Sequence, residues 1–137
     1  MRMTVNDKDS RLEVNFVFPD SRLVDLEISL HRICKANHWS LSREDLSFEH
    51  VRYRIKANET FLATANVTHG LEPPTRISFD NRPPESEEFW ASARRSVIWV
   101  AREFLEECSG RGLVSEAQKE KAITELNKHD RELTPSR

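Results

Sequence analysis

The chain has 137 residues, of which 32% are charged, and a formal net charge of -2. This length predicts a single domain with one hydrophobic core. The charge balance excludes attraction of the whole chain to nucleic acid or to an anionic membrane, so any such affinity must come from a local patch. The N-terminus lacks the apolar run of a signal peptide, and no stretch is long enough to span a bilayer. We therefore expect a soluble, cytoplasmic protein that does not bind membranes.

The two cysteines, Cys34 and Cys108, lie among apolar residues of predicted helices. Free cysteines in such positions behave as small hydrophobic residues, so we predict no disulfide. The sequence shows no carboxylate pair, nucleophile motif, glycine-rich phosphate loop or metal-ligand spacing. We therefore expect no catalytic residues, no metal and no cofactor, and predict that the protein is not an enzyme.

The segment RLEVNFVF alternates apolar and polar side chains, which predicts a strand with one buried face. Its buried residues would be Leu12, Val14, Phe16 and Phe18. We interpret residues 1–10 as a flexible N-terminus, residues 11–110 as a single α+β domain and residues 134–137 as a tail.

The segment DSRLVDLEISLHRICKANHW fits two different periods. With helical spacing its apolar residues form one stripe, and Asp20 or Ser21 would be the N-cap. That stripe would consist of Leu23, Leu26, Leu30, Ile33 and Cys34. With strand spacing, apolar residues from Val24 to Leu30 alternate with polar ones. The cap and the length favour a helix, and the strand stays open as the alternative.

Two alternating segments, LSFEHVRYRIKAN and ETFLATANVTHG, follow on either side of a polar turn around Asn58. They predict an antiparallel hairpin, and TRISFD adds a short third strand. The core-facing residues would be Val51, Tyr53, Ile55, Phe61, Ala63, Ala65, Val67, Ile77 and Phe79. The next segment, NRPPESEE, is a linker stiffened by proline.

The run SEEFWASARRSVIWVAREFLEEC, residues 86–108, predicts a long helix with a broad apolar stripe. That stripe would consist of Phe89, Trp90, Ala93, Val97, Val100, Ala101, Phe104 and Cys108, widened by Ile98 and Leu105. Trp99 lies on the opposite side, one turn from both Arg95 and Arg102. Tryptophan and arginine are typical of binding hot spots, which predicts a protein-binding surface at these three residues. Glutamates at both ends of the helix would repel phosphate and disfavour nucleic acid. The alternative is that Trp99 packs under the arginine stems or against the last helix.

Ser115 and Gln118 form a capping-box pattern, which predicts a C-terminal helix over residues 113–133. Its apolar stripe is thin, so the helix would be marginal in isolation. It therefore docks on the domain, pairs with another chain or frays. Pairing would make residues 115–133 the contact of a homo-oligomer.

His50, Arg52, Arg54 and Lys56 are spaced by two residues, which puts them together on the solvent face of the first hairpin strand. In the expected register, the neighbours on the second strand would be Thr64, Asn66 and Thr68. Such a surface suits phosphates or an acidic protein, and Phe48 has the same parity and could stack a base. RNA-binding sheets use paired stacking residues, however, and only one is present. The alternative is an ordinary solvated face neutralised by acidic residues on neighbouring strands.

The order helix, three antiparallel strands, helix over residues 20–108 resembles the double-stranded-RNA-binding domain. LEISLHRICKANHW is similar to the first helix of that family, and SARRSVIWVAREFL is similar to the second. The family's phosphate-binding lysine corresponds to Val97 here, and KANE replaces its Gly-Pro-x-His loop. The resemblance therefore implies a member that makes protein contacts rather than one that binds RNA through the family's usual surface.

These patterns predict an α+β fold with a small antiparallel sheet of three to four strands, packed on one face by helices, and an appended C-terminal helix. The predicted function is a non-catalytic adaptor or regulatory role through contacts with another protein. The first alternative is RNA or DNA binding through Phe48 and the basic residues of the hairpin. The second is a chaperone-like or inhibitor protein in which Val24 to Leu30 is a strand of a larger sheet.

Overall fold

The computed structural model describes residues 1–8, 11–82 and 92–130. Their elements are β1 (Arg2–Lys8), β2 (Arg11–Phe18), α1 (Leu23–Asn37), β3 (Ser40–Ser47), β4 (His50–Ala57), β5 (Thr60–Thr68), β6 (Thr75–Asp80), α2 (Arg94–Gly110) and α3 (Glu116–Asn127). The strands form one antiparallel sheet in the order β1-β2-β6-β5-β4-β3. The predicted α+β class is confirmed, but the sheet has six strands within the described residues rather than three to four.

The two strands that sequence periodicity did not reveal, β1 and β3, lie at opposite edges of the sheet. The N-terminal segment expected to be flexible contains β1, whose Met3 and Val5 pack against the core. In β3, with the sequence SLSREDLS, Leu41 packs against the core while most other side chains are exposed. An edge strand has one neighbouring strand and buries little area, so apolar alternation is weak in its sequence.

The strand predicted over residues 11–18 is confirmed as β2, and the predicted hairpin is confirmed as β4 and β5. The apolar residues of these three strands are buried in the core together with Ile77 and Phe79 of β6. The centre of the core is a cluster of four rings with neighbouring centroids 5.2 to 6.3 Å apart, formed by Phe16, Phe18, Phe79 and Phe104. Tilted and edge-on ring contacts stabilise a core beyond the area that they bury.

One position of the hairpin differs from its prediction. A β-bulge between Ile55 and Lys56 sets Phe61 opposite Lys56, whereas the simple two-residue period put Phe61 on the core face with Ala63. Phe61 is buried but lies outside the main core cluster. The extra residue of a bulge reverses the side to which the following side chains point, and alternation alone does not reveal it.

Residues 23–37 form the helix α1, so the strand alternative over Val24 to Leu30 is wrong. The N-cap is Arg22 rather than Asp20 or Ser21, and its backbone N–H donates to the Asp25 carboxylate at 2.9 Å. Every residue of the predicted stripe is buried or half-buried. The segment forms a helix because helical spacing brings all of these apolar residues to one side, where they pack on the core. A strand over the same residues would not bring them to one side.

Helix α2 runs antiparallel to α1 on the same face of the sheet. Asn37 donates to Glu103 at 3.0 Å, and one turn back along α1 Arg32 pairs with Glu107 at 3.4 Å. The described part of the predicted long helix begins at Arg94, and the predicted core residues Phe89 and Trp90 lie outside the described residues. The buried residues of α2 are Val97, Ile98, Val100, Ala101, Phe104, Leu105 and Cys108. From Val97 to Cys108 this is the predicted apolar stripe, whereas Ala93, also predicted to belong to it, is the exposed N-cap of the helix.

Helix α3 begins after the predicted capping box, in which the Gln118 backbone N–H donates to Ser115 Oγ at 3.1 Å. It ends at Asn127, earlier than the predicted end at residue 133, and a turn follows. Ala122 and Leu126 are buried, so the thin apolar stripe docks on the domain beside α2. Of the three arrangements left open for this helix, the structure shows docking.

An ion-pair cluster joins β1, α2 and α3 and fixes the end of α3 beside the sheet. Both guanidinium Nη atoms of Arg94 donate to Asp7, at 2.7 and 2.8 Å, and Nη2 also donates to the His129 carbonyl. The His129 Nδ1 lies 2.7 Å from Asp7 Oδ2. The Asp7 side chain is only 6% exposed, and these partners offset the cost of its burial. We call this group the Asp7–Arg94–His129 cluster.

Candidate functional site

The outer face of the sheet, opposite α1 and α2, is polar from β1 to β3. The strand pairings set its residues in rows, one of which runs Thr4, Asn15, Ser78, Asn66, Arg52 and Glu44. The next row runs Arg2, Val17, Arg76, Thr68 and His50. In the described residues α2, which contacts β2, β5 and β6, packs on the other face together with α1. These two rows therefore form an open surface.

The basic stripe of β4, His50, Arg52, Arg54 and Lys56, lies on this outer face, as predicted. Its four side chains are half-buried, while Val51, Tyr53 and Ile55 between them are buried in the core. The predicted register with β5 is confirmed, because His50 pairs with Thr68, Arg52 with Asn66 and Arg54 with Thr64. His50 Nε2 lies 3.1 Å from Asn66 Oδ1, so the two strands are also joined by side chains.

The charge of the outer face differs from that of the whole chain. Its basic residues are Arg2, Lys8, Arg11, Arg52, Arg54, Lys56 and Arg76, and its carboxyl groups are Glu13, Glu44 and Asp80. Seven cationic groups against three acidic ones lie on this face of a chain whose formal net charge is -2. The remaining surface is correspondingly acidic, so the field of the molecule is polarised between the two sides.

The outer face contains two hollows. The first, of about 260 Å³, lies over β1, β2, β6 and β5 and is lined by Arg2, Asn15, Asn66, Arg76 and Ser78 among others. The second, of about 250 Å³, lies over β3 and β4 beside Arg52. In the first hollow two guanidinium groups flank amide and hydroxyl groups, which are both donors and acceptors.

One corner of the outer face is covered. Thr64 and Asp80 are buried there, and the Thr64 hydroxyl donates to the Arg82 carbonyl at 2.7 Å. Burial raises the pKa of Asp80 to about 6, although the backbone N–H of Arg82 donates to this carboxyl and favours its charged form. The open part of the face is therefore centred on Asn15, Ser78 and Asn66 rather than on this corner.

Phe48 does not lie on the stripe. It occupies the turn between β3 and β4, where Ser47 pairs with His50, and its side chain is 98% exposed. The predicted alignment of Phe48 with the stripe fails because β4 begins only at His50, and the turn interrupts the two-residue period. A fully exposed ring at a turn is separated from the hydrogen-bonding groups at the centre of the face.

The predicted protein-binding residues of α2 lie on the helix surface and have partners within the chain. The Trp99 ring packs edge-on against Trp39, with centroids 5.1 Å apart, and stays 42% exposed. Arg102 Nη1 donates to Asn127 Oδ1 of α3 at 2.6 Å. Arg95 is exposed at the start of the helix. Trp99 is thus held against the segment that follows α1, and Arg102 against α3. The predicted alternative placed Trp99 under the arginine stems or against the last helix, and the ring contact with Trp39 is with neither.

Several residues of the outer face were not identified from the sequence: Arg2, Asn15, Arg76 and Ser78. Arg76 and Ser78 alternate with core residues in TRISFD, and Asn15 does so in RLEVNFVF, so their sides of the strands were predictable. The sequence pattern does not predict the strand order, which brings β2, β6 and β5 together although they are far apart in the sequence.

The two thiols of the chain lie in the core. Both cysteines are free and buried, and burial raises the pKa of Cys34 to about 11 and that of Cys108 to about 12. In the described parts of the chain, no group of three or more His, Cys, Asp or Glu could hold a metal ion. None of the described helices is long and apolar enough to cross a bilayer.

Comparison with protein-family models, with curated proteins and with solved structures finds no match for this chain.

Proposed function

We propose that this chain is a non-catalytic interaction protein that binds an acidic surface of another protein on the outer face of its sheet. The observation that carries the proposal is the charge separation, because seven cationic groups lie on one face of a chain with an acidic net charge. The open rows add amide and hydroxyl groups that satisfy polar atoms of a partner. Electrostatic complementarity of this kind steers association and fixes the orientation of the complex.

A protein partner is favoured over nucleic acid by what lies at the centre of the face. The middle of the open surface consists of the uncharged residues Asn15, Ser78 and Asn66, with cationic groups around them. Proteins that bind single strands place aromatic side chains there, and each base stacked on one contributes about 1–3 kcal/mol. The open rows carry His50 as their aromatic residue. Nucleic-acid binding stays the second candidate because the basic stripe suits phosphates.

Two other predicted contacts have less support. The column of Arg95, Trp99 and Arg102 is partly occupied by contacts within the chain. A homo-oligomer through residues 115–133 would have to use the solvent side of α3, since Ala122 and Leu126 are already buried. The open part of the outer face, in contrast, is covered by neither α1 nor α2.

The proposal is tested by site-specific photocrosslinking in cells of the native host. A photoreactive amino acid replaces Ser78 at the centre of the open face, and in a matched variant it replaces Lys35 on the exposed side of α1. Cross-linked species are compared with and without nuclease treatment. We expect a discrete protein adduct from position 78 that survives nuclease and that is absent from position 35.

The other outcomes of this experiment are equally informative. An adduct at position 78 that disappears with nuclease would transfer the function to nucleic-acid binding. Equal adducts from both positions, or none from position 78, would contradict a binding surface on the outer face. Circular dichroism of both variants verifies that they are folded.

A further inference from the structure

A cavity of about 710 Å³ lies between the edge strand β1 and the helix α3, and it is larger than either hollow on the outer face. Met3 and Val5 line it from β1, and Ala122 lines it from α3. Lys121 and Glu125 border it on α3. Its wall is thus partly apolar and partly charged. We call this cavity the β1–α3 groove.

In the described part of the chain, no strand pairs with the groove side of the β1 backbone. Among the described strands β1 pairs with β2 alone, so alternate N–H and C=O groups of Arg2–Lys8 point away from the sheet. A row of such groups is a template for another strand. Neighbouring strands of a sheet lie about 4.7–4.9 Å apart, so the added strand would lie at this distance from β1. A strand in this position would lie under α3.

The Asp7–Arg94–His129 cluster gives the groove a closed end and an open end. Asp7 is near the end of β1 and His129 follows α3, and the 2.7 Å contact between them joins the two elements there. At the other end Met1 and Gln118 line the cavity. The cluster therefore holds α3 at a fixed distance from β1 without a bound ligand, so the groove is preformed.

The opposite edge of the sheet shows how a strand is protected from such pairing. On β3, Arg43 donates to Glu27 at 2.7 Å and also pairs with Asp45, so charged side chains occupy the helix side of that edge. Charges on the inward side of an edge strand oppose the addition of a further strand. On β1 the inward residues that line the groove, Met3 and Val5, are apolar. The inward charge of Asp7 lies at the closed end, where it is paired with Arg94 and His129.

We propose that the β1–α3 groove binds an extended segment of a partner protein, which joins β1 as an additional strand. Its inward side chains are apolar and contact Met3, Val5 and Ala122. Carboxylates elsewhere in the segment face Arg2 and Lys121, which border the groove and form no ion pair with another described residue. Backbone pairing supplies affinity and the alternate side chains supply specificity. This site adjoins the surface used in the proposed function, since Arg2 and Thr4 line both cavities, but its wall also includes α3, which that surface does not.

A second copy of the chain fits this edge less well. Two β1 strands paired about Val5 would set Arg2 of each copy opposite Lys8 of the other, and like charges directly opposite each other destabilise a sheet. Each copy would also bring its own α3 to the space beside the same pair of strands. A single segment from a different protein avoids both conflicts.

The test uses a display library of short random peptides selected against the full chain, followed by backbone methylation of a selected peptide. Methylation of the amides that face β1 should weaken binding by about tenfold or more, while methylation at the intervening positions should leave it nearly unchanged. Amide shifts in nuclear magnetic resonance spectra should concentrate in Arg2–Lys8 and α3. The Lys121→Glu variant should lose affinity for acidic peptides, and its matched control Lys35→Glu should not.

The inference is overturned if no peptide is selected, if methylation at both sets of positions has the same effect, or if the shifts map to β5 and β6. A concentration-dependent dimer in sedimentation, with the same shifts in Arg2–Lys8 and no peptide present, would replace the partner segment by a second copy. Failure of this test leaves the photocrosslinking result at position 78 unaffected, so the two proposals are separable.

Discussion

The two faces of the sheet have opposite compositions. The inner face is apolar and is covered by α1 and α2, with a cluster of phenylalanine rings at its centre. The outer face is polar and basic, and much of it is open within the described residues. Apolar burial supplies most of the stabilisation of a domain, so the outer face contributes little to folding. Its concentration of positive charge therefore calls for a reason other than stability.

This comparison predicts that stability and binding can be changed separately. Substitutions on the inner face should lower the free energy of unfolding, and they should impair binding only through unfolding. Substitutions on the open part of the outer face should lower affinity and leave the free energy of unfolding nearly unchanged, because exposed polar side chains contribute little.

The largest effect is expected for Phe104→Ala at the centre of the core. Phe104 is fully buried and contacts Phe16, Phe18 and Phe79. Truncation leaves a cavity that its neighbours fill only in part, and we expect a loss of about 3–5 kcal/mol in the free energy of unfolding. Urea denaturation followed by circular dichroism measures it. A loss below about 1 kcal/mol would show that the cluster is not the centre of the core.

The next effect is expected for Asp7→Ala, which removes the acidic member of the Asp7–Arg94–His129 cluster. The substitution leaves the Arg94 guanidinium without its bidentate carboxylate, and we expect a loss of about 3 kcal/mol. Glu125→Ala is the matched control, since Glu125 contacts the same His129 at 3.4 Å but is 47% exposed. The control should cost less than about 1 kcal/mol, and equal losses would contradict the role of burial.

A gain in stability is expected for Asp80→Asn at neutral pH. Burial raises the pKa of Asp80 from an ordinary value of 3.8 to about 6, so the folded state binds the proton more tightly than the unfolded state does. The stability of the natural chain should therefore fall as pH rises from about 4 to about 6, and the variant should lack this contribution. At pH 7 the expected gain is about 1–2 kcal/mol. A variant that is less stable at pH 7 would show that the ionised carboxylate is favourable.

A small loss of stability, about 1 kcal/mol, is expected for Trp99→Ala because the ring packs edge-on against Trp39. Affinity for the partner cross-linked at position 78 should not change, since Trp99 lies in the helix layer. Thermal unfolding of the variant and its affinity for the partner are both measured, and together they decide between the outer face and the α2 surface as the binding site. Lost affinity with unchanged stability would move the binding site from the outer face to α2.

The sequence predicts the elements that are buried on one side and misses those at the edges. β2, the hairpin, α1 and the stripe of α2 follow from their apolar periods, because each buries a full face. β1 and β3 bury only a few side chains, and the bulge at Lys56 depends on the local pairing. Periodicity within one strand can reveal none of these features.

The candidate surface was predictable only in the part that comes from one strand. The spacing of Arg52 and Arg54 places both on a solvent face, which the structure confirms. Arg76 and Asn15 join this face only because β6 lies between β2 and β5. That order depends on contacts between distant segments, and no local pattern encodes it.

The central claim, that the outer face is the binding surface, is tested most directly by one pair of charge reversals. Arg76→Glu lies on the open face and Lys35→Glu lies on the exposed side of α1, and both change the net charge by the same amount. We measure the affinity of each variant for the partner cross-linked at position 78. Arg76→Glu should weaken binding by about tenfold or more, and Lys35→Glu by less than about twofold. Equal losses in the two variants would contradict the claim.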